Sequence, residues 1–279
     1  MALEKIRELT DAEKAKPWSK WYYRPVDDPD PVLLEAVRPD RPMDPSQAIY
    51  PEEINRLLDP GYMEVETGWC NLPNGAGYIC VNNKMPGVTV DMLDWWFVWH
   101  SLADMHYGIW YPPGHYGIAI SEKSRKKVLD PNLPVKEKIY GRTDHVKEDV
   151  GTGLEDIFIF FCHPAEIGFD MDRFNAPNAA AVYGGHGLDT PVGAEPWAIR
   201  APAIMCHFIR EIPGGIEFRS RFWMGYTLID RKPVFMLPSG VKVPEAAVQG
   251  LAEHNVREYT NLRNLLPGIY KELEGKWVV

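Results

Sequence analysis

The chain has 279 residues, 45% of them hydrophobic, and a formal net charge of −9. That is enough apolar material for a buried core, in one large domain or in one domain with a long extension. The acidic balance, with no basic run, excludes a nucleic-acid-binding surface. No apolar run reaches membrane-spanning length, and the charged start MALEKIRELTDAEKAK has no signal-peptide core, so a cytoplasmic protein without a membrane partner is expected. Cys70, Cys80, Cys162 and Cys206 form no C-x-x-C pair and read as small buried hydrophobes rather than a disulfide or thiolate-zinc framework.

Residues 1–16 read as a short charged helix. From Pro17 to Pro60 prolines recur too often for long regular elements, which predicts an extended arm with one or two helical turns. The arm carries Trp18, Trp21, Tyr22, Tyr23, Leu33 and Leu34, so it should wrap onto the body or a partner subunit. Residues 1–60 are accordingly set apart from a main domain over residues 61–279.

Tyr62–Trp69 and Gly77–Val81 read as strands joined by an Asn74-Gly75 turn. Gly87 to about Ala103 reads as a helix capped by Thr89, with His100 on its apolar face as a hydrogen-bonded core residue. The stretch HYGIWYPPGHYGI, His106–Ile118, is the most distinctive in the chain. Tyr and Trp suit a pocket for a flat, polar-edged ligand. Pro112-Pro113-Gly114 must be a turn, and His115 follows it at the start of a strand, placed to be a fixed ligand or a base.

Ser121–Arg142 is a polar connection, followed by strands over Thr143–Val150 and Asp156–Phe161. Residues 170–201, rich in Ala, Asn, Gly and Pro, read as a loop or lid, and His186 within it has no assigned role. Ala201–Ile229 reads as a hairpin around Gly214-Gly215, which sets His207 opposite Phe222 and Met205 opposite Met224. Met205, His207, Ile209, Phe218, Phe222, Met224 and Tyr226 then share the inner face, and Arg210, Arg219 and Arg221 the other. A buried His207 needs a partner, and a metal fits.

A final helix runs from Pro244 to about Leu266, with Leu251, Glu258 and Leu265 in line and His254 and Asn261 beside them. His254 and Glu258, four apart, read equally well as a plain surface pair. These elements predict an α+β protein in which an antiparallel sheet curls around the C-terminal helix and encloses a cavity.

The G-x-S-x-G elbow, the G-x-G-x-x-G turn, the P-loop and H-E-x-x-H are all absent. What remains is a dispersed set: His115, His145 with Glu148, Glu155, His207, and His254 with Glu258. Imidazole and carboxylate ligands of this kind suit Zn²⁺, which polarises a carbonyl and activates water.

In the motifs DWWFVWHSL, HYGIWYPPGHYGI, VKEDVGTG, MCHFIR with FRSRFW, and HNVREYTNLRNLLP, spread over residues 94–267, the chain resembles the diacetylphloroglucinol hydrolase and phloretin hydrolase family. The resemblance implies a Bet v 1-like helix-grip fold and a homodimer. It also implies a zinc ion on two His and two Glu, and hydrolysis of the aryl–acyl carbon–carbon bond of a polyhydroxylated aromatic ketone. By motif position His115, His207 and Glu258 match ligands, Glu148 is the best match to the fourth, and Glu155 is the second choice. Tyr107 matches a tyrosine that holds a substrate hydroxyl; a second family tyrosine has no clean match, and Phe222 or Tyr226 would take its place. Tyr107, Glu148 and His207 are the expected catalytic residues, with Glu148 or Glu258 as proton shuttle. The competing expectations are a non-catalytic binder of hydrophobic ligands and a metal-free cyclase on the same fold.

Overall fold

The computed structural model describes residues 7–193, 201–273, 275–277 and 279. In the arm, Thr10 caps the one-turn helix α1 (Asp11–Lys14) and Asp30 caps α2 (Pro31–Ala36). Three 3-10 segments, Pro17–Trp21, Pro45–Gln47 and Pro51–Leu58, each open on a proline, whose fixed φ starts a helical turn without needing an amide.

The first hairpin pairs β1 (Gly68–Asn71) with β2 (Gly77–Pro86); α3 (Val90–Trp99) and α4 (Asp104–Trp110) follow. After the Pro-Pro-Gly turn come β3 (His115–Ile120), α5 (Glu122–Leu129), α6 (Val135–Ile139), β4 (Thr143–Asp149) and β5 (Leu154–Phe161). Next are α7 (Pro164–Ile167), β6 (Ala181–Pro191), β7 (Ala201–Ile212) and β8 (Gly215–Met224). A small ribbon of β9 (Tyr226–Ile229) and β10 (Lys232–Phe235) leads to the helix α8 (Glu245–Glu272).

Eight strands form one antiparallel sheet in the order β1-β2-β8-β7-β6-β5-β4-β3. On α8, Val248, Ala252 and Val256 pack with Ile79, Val81 and Phe222 on β2 and β8. The same helix sends Glu258 to His115 on β3, at the far end of the strand order. One helix that reaches both ends of an eight-stranded sheet requires the sheet to curl around it. The architecture is thus mixed α/β with a large antiparallel sheet and a C-terminal helix, in line with the element pattern of the sequence.

Both faces of the sheet are covered. The concave face buries Trp95, Trp96 and Trp99 with Tyr259, Leu262 and Leu265 of α8. The convex face carries Tyr78, Cys80, Cys206, Phe208 and Trp223, over which the arm lays Ile49, Ile54, Leu57 and Leu58. The arm also seats Trp18, whose Nε1 donates to His106 Nε2 at 3.1 Å, and Trp21, whose Nε1 donates to Glu272 Oε2 at 3.0 Å.

Four expectations need correction. Residues 62–67 form no strand, and pairing starts only at Gly68. The presumed loop over 170–201 contains the eleven-residue strand β6, while residues 194–200 lie outside the described residues. Its small residues reflect crowding: a Cβ on Gly184 would meet the Met205 carbonyl at 2.5 Å. The β7–β8 turn is Pro213-Gly214, so His207 pairs with Ser220 and Met205 with Phe222. This register differs from the predicted one by two residues, and because strand side chains alternate with period two the inner face is unchanged as far as Met224, where β8 ends. Finally, α8 continues through Pro267 to Glu272 because Leu265, Leu266 and Ile269 remain buried there.

Candidate active site

The site begins as a row across the sheet. His115 on β3 pairs with Glu148 on β4, and Glu148 pairs with Glu155 on β5, so the three side chains lie side by side on one face. A bulge between His115 and Gly117 keeps His115 on that face where β3 emerges from its turn. The ring of Tyr107 on α4 stacks on His115 at 4.2 Å, and its hydroxyl donates to Glu148 Oε2. His254 and Glu258, one turn apart on α8, come down onto the row.

His115 Nε2 stands 3.4 Å from Glu258 Oε2 and 3.6 Å from Glu148 Oε2, while His254 Nε2 is 3.8 Å from Glu258 Oε2. His115, Glu148 and His254 each offer a ligand atom within 4.8 Å of the others. The approach of α8 depends on Gly114, where a Cβ would lie 3.0 Å from His254 Cε1 and 3.0 Å from the Asp149 carbonyl.

All four groups are buried, and among the described residues no Lys or Arg pairs with Glu148 or Glu258. Burial pushes Glu148 up to about 7, against the hydrogen bond from Tyr107. Burial, then the charge of Glu148, holds Glu258 well above the usual carboxylate range. Burial also depresses the imidazoles, His254 to about 4 and His115 well below its ordinary value, with His254 adding to the effect on His115. Neutral imidazoles are the ligand form, and His115 Nε2 has no hydrogen-bond partner among the described residues. Two imidazoles and two carboxylates around one orphaned nitrogen are a donor set that fits zinc, whose charge would offset both acids.

Above these groups lies a small cavity with aromatic walls that include Phe97, Trp110, Phe161 and Phe222. The sequence match agrees with a hydrolytic site. The profile of the DAPG hydrolase PhiG domain covers residues 49–271. The chain belongs to the DAPG hydrolase family. It is 33% identical over 269 residues to a phloretin hydrolase of Eubacterium ramulus, spanning 95% of this chain and 93% of that one. It is 29% identical over 277 residues to a 2,4-diacetylphloroglucinol hydrolase of a Pseudomonas species, spanning 94% and 90%. Against the enzyme of the same name from Pseudomonas protegens the identity is 28%, spanning 94% and 86%.

In this member of the DAPG hydrolase family, Tyr107, Glu148 and Glu258 each lie against His115. Glu148 is the carboxylate that reaches His115; Glu155 sits one strand further on, accepting from Thr152 Oγ1 at 2.8 Å. His207 lines the same cavity but is not in the His115 cluster. Its Nδ1 bonds Ser220 Oγ at 2.9 Å and its Nε2 bonds the Tyr259 hydroxyl at 3.2 Å, and burial lowers it to about 3. Phe222 lines the cavity, whereas Tyr226 does not: Gly225, at φ +96°, ends β8, and Tyr226 turns to the convex side, where Asn74 Nδ2 donates to its hydroxyl. That places Tyr226 outside the expected substrate contacts. His145 points away on the opposite face of β4, bonded to Asp156 at 2.9 Å. His254, a candidate in the dispersed set but absent from the ligand set that the resemblance implies, lies in the His115 cluster, and its spacing to Glu258 was the signal for it.

Proposed function

We propose that this chain is a zinc-dependent hydrolase that cleaves the aryl–acyl carbon–carbon bond of a polyhydroxylated aromatic ketone of the acylphloroglucinol or phloretin type. The relatives' names carry those substrates, and the curled sheet around α8 supports a Bet v 1-like helix-grip fold. The observation that carries the reading is His115 Nε2, a buried nitrogen without a partner between two buried carboxylates that no Lys or Arg described here neutralises. We assign the metal to His115, Glu148, His254 and Glu258, with His254 in place of His207. The same reading takes the protein as a cytoplasmic homodimer, which light scattering of the purified chain tests.

When bound, zinc supplies a Lewis acid that polarises a carbonyl and lowers the pKa of water. In the overall step the elements of water add across the bond: hydroxyl to the acyl carbon and hydrogen to the ring carbon. The electron pair of the broken bond passes to the ring, where the ring oxygens delocalise it. Phe97, Trp110, Phe161 and Phe222 hold the ring by its faces and exclude water. Tyr107 fixes the Glu148 carboxylate through its hydroxyl and fixes the His115 ring by stacking. His207, neutral and tethered at Nδ1 by Ser220, can hold a proton at Nε2 for the ring carbon, with Tyr259 as its relay.

Elemental analysis beside turnover tests this. About one zinc per chain is expected, with conversion of phloretin or an acylphloroglucinol to the free ring and the carboxylic acid. His254→Ala should lose the metal, while His207→Ala should keep it and lose turnover. Metal lost in His207→Ala but kept in His254→Ala would restore the ligand set implied by the motifs. A wild-type protein that takes up no zinc when zinc is supplied would sink the proposal.

A further inference from the structure

Three buried histidines near the site are oriented by the same device. A backbone carbonyl can only accept, so a ring nitrogen that bonds one must carry the proton. In a neutral imidazole the other nitrogen then keeps a lone pair. His106 Nδ1 donates to the Trp99 carbonyl at 3.0 Å, and its Nε2 accepts from Trp18 of the arm. His115 Nδ1 faces the Tyr107 carbonyl at 3.3 Å, and its Nε2 belongs to the metal cluster. His100 Nδ1 donates to the Trp96 carbonyl at 2.8 Å, which is its one side-chain hydrogen bond among the described residues. Its Nε2 is left without a donor.

His100 caps the C-terminal end of α3 and lines the cavity beside Phe97 and Trp110. Burial, then the charge of Arg142, holds it well below its ordinary pKa, so the ring stays neutral and Nε2 stays an acceptor. The other polar side chains of the wall are engaged. Both Asp144 oxygens accept from Arg142, Tyr107 donates to Glu148, and His207 is held between Ser220 and Tyr259. Outside the metal cluster, His100 Nε2 is the side-chain acceptor that the described cavity leaves open. A buried acceptor on a cavity wall is satisfied by a donor that the ligand brings.

We infer that His100 binds the substrate, its Nε2 accepting a hydrogen bond from a hydroxyl of the ring, and so selects the hydroxylation pattern that the cavity takes. The inference rests on the hydrolase reading, which puts a hydroxylated ring between Phe97 and Trp110. A ring that presents bare carbon to His100 would leave the lone pair buried and unanswered.

Acetylphloroglucinol and the two analogues that each lack one of its ring hydroxyls test this with the zinc-loaded protein. In the wild type at least one of these losses should raise KM about tenfold, the worth of one hydrogen bond; calorimetric Kd replaces KM where a ketone is not cleaved. His100→Phe keeps a ring and removes the acceptor, while the Trp96 carbonyl still accepts from the backbone amide of residue 100. It should raise KM for acetylphloroglucinol about tenfold, leave zinc content unchanged and bring the ratio between the ketones close to one. His100→Gln, whose amide oxygen can stand in for Nε2, should recover most of the loss. A ratio between the ketones unmoved in His100→Phe overturns the inference.

Nitrogen NMR of histidine-labelled wild type decides the matter without a variant. His100 should carry its proton on Nδ1, and its Nε2 resonance should move when acetylphloroglucinol binds. A proton on Nε2 in the free protein, or an Nε2 resonance that stays in place in the complex, also overturns it. A moving Nε2 with no ketone cleaved supports His100 and counts against the hydrolase. Turnover with KM unmoved in His100→Phe sinks His100 and leaves the hydrolase standing.

Discussion

The two faces of the central sheet bury acid in opposite ways. On the convex face, burial alone would raise the Glu66 carboxyl, but Arg221 and Arg219 outweigh it and hold Glu66 at about 2. Their guanidinium nitrogens donate to Glu66 at 2.6–3.1 Å. On the concave face Glu148 and Glu258 are more deeply buried, and burial drives both upward because no side-chain cation of the described chain answers them. This fold can neutralise a buried carboxylate from its own residues and does so a few strands away. Where it leaves two carboxylates unanswered, the proposed zinc would supply the missing charge.

That contrast can be broken from either side. The largest effect is expected from His115→Ala, which should remove zinc and lower kcat/KM about a thousandfold, several kcal/mol of transition-state stabilisation. Circular dichroism should show the fold retained. Glu66→Ala should do the reverse, leaving Arg219 and Arg221 buried without their acid and costing about 3–5 kcal/mol in urea denaturation, with zinc still bound by the folded fraction. A fold-neutral Glu66→Ala would mean that the convex network contributes little.

The sign of the acid limit follows from the same pair. Because the folded Glu66 carboxyl lies at about 2 against an ordinary 4.5, its contribution is complete above about 4.5 and fades as pH falls toward 2. Glu66→Ala should therefore flatten the acid arm of the stability curve. Zinc at a hundred times its Kd should stabilise the wild type by about 2.7 kcal/mol. Glu258→Gln should abolish that gain without lowering the stability of the metal-free protein, since it removes an unpaired acid. The smallest change is expected for Gly114→Ala, at about 1–3 kcal/mol, because its methyl must displace His254 or the Asp149 carbonyl. Its zinc affinity should fall more than its stability.

Much of this was legible in the sequence, for local reasons. A Pro-Pro-Gly turn can only deliver the next residue at the start of a new element, and that fixed His115. Period-two alternation put His207 inside even though the turn lay one residue earlier than read, since a register change of two preserves the face. The seam of leucines on α8 picked out Glu258 but not His254, which lies off the seam. Its burial depends on β3 and the β4–β5 turn closing over that side of the helix, and no helical periodicity reports this. Strand β6 hid for a related reason: Gly184 and its neighbours read as loop residues, yet they are small because β5 and β7 press so near. Tyr226 was lost at Gly225, where the alternation on which its placement depended stops.

The arm has a consequence in time. Trp18 closes on His106 across 88 positions, and Trp21 closes on Glu272 across 251. His254 and Glu258 lie on that same late helix, so the site is completed only after nearly all of the chain has been made. At about 5–20 residues per second, Trp18 waits roughly 4–18 s and Trp21 roughly 13–50 s for the partner that each closes on. For that interval Trp18, Trp21 and Tyr22 form an uncovered aromatic run on the nascent chain, where a chaperone would engage and where aggregation would start.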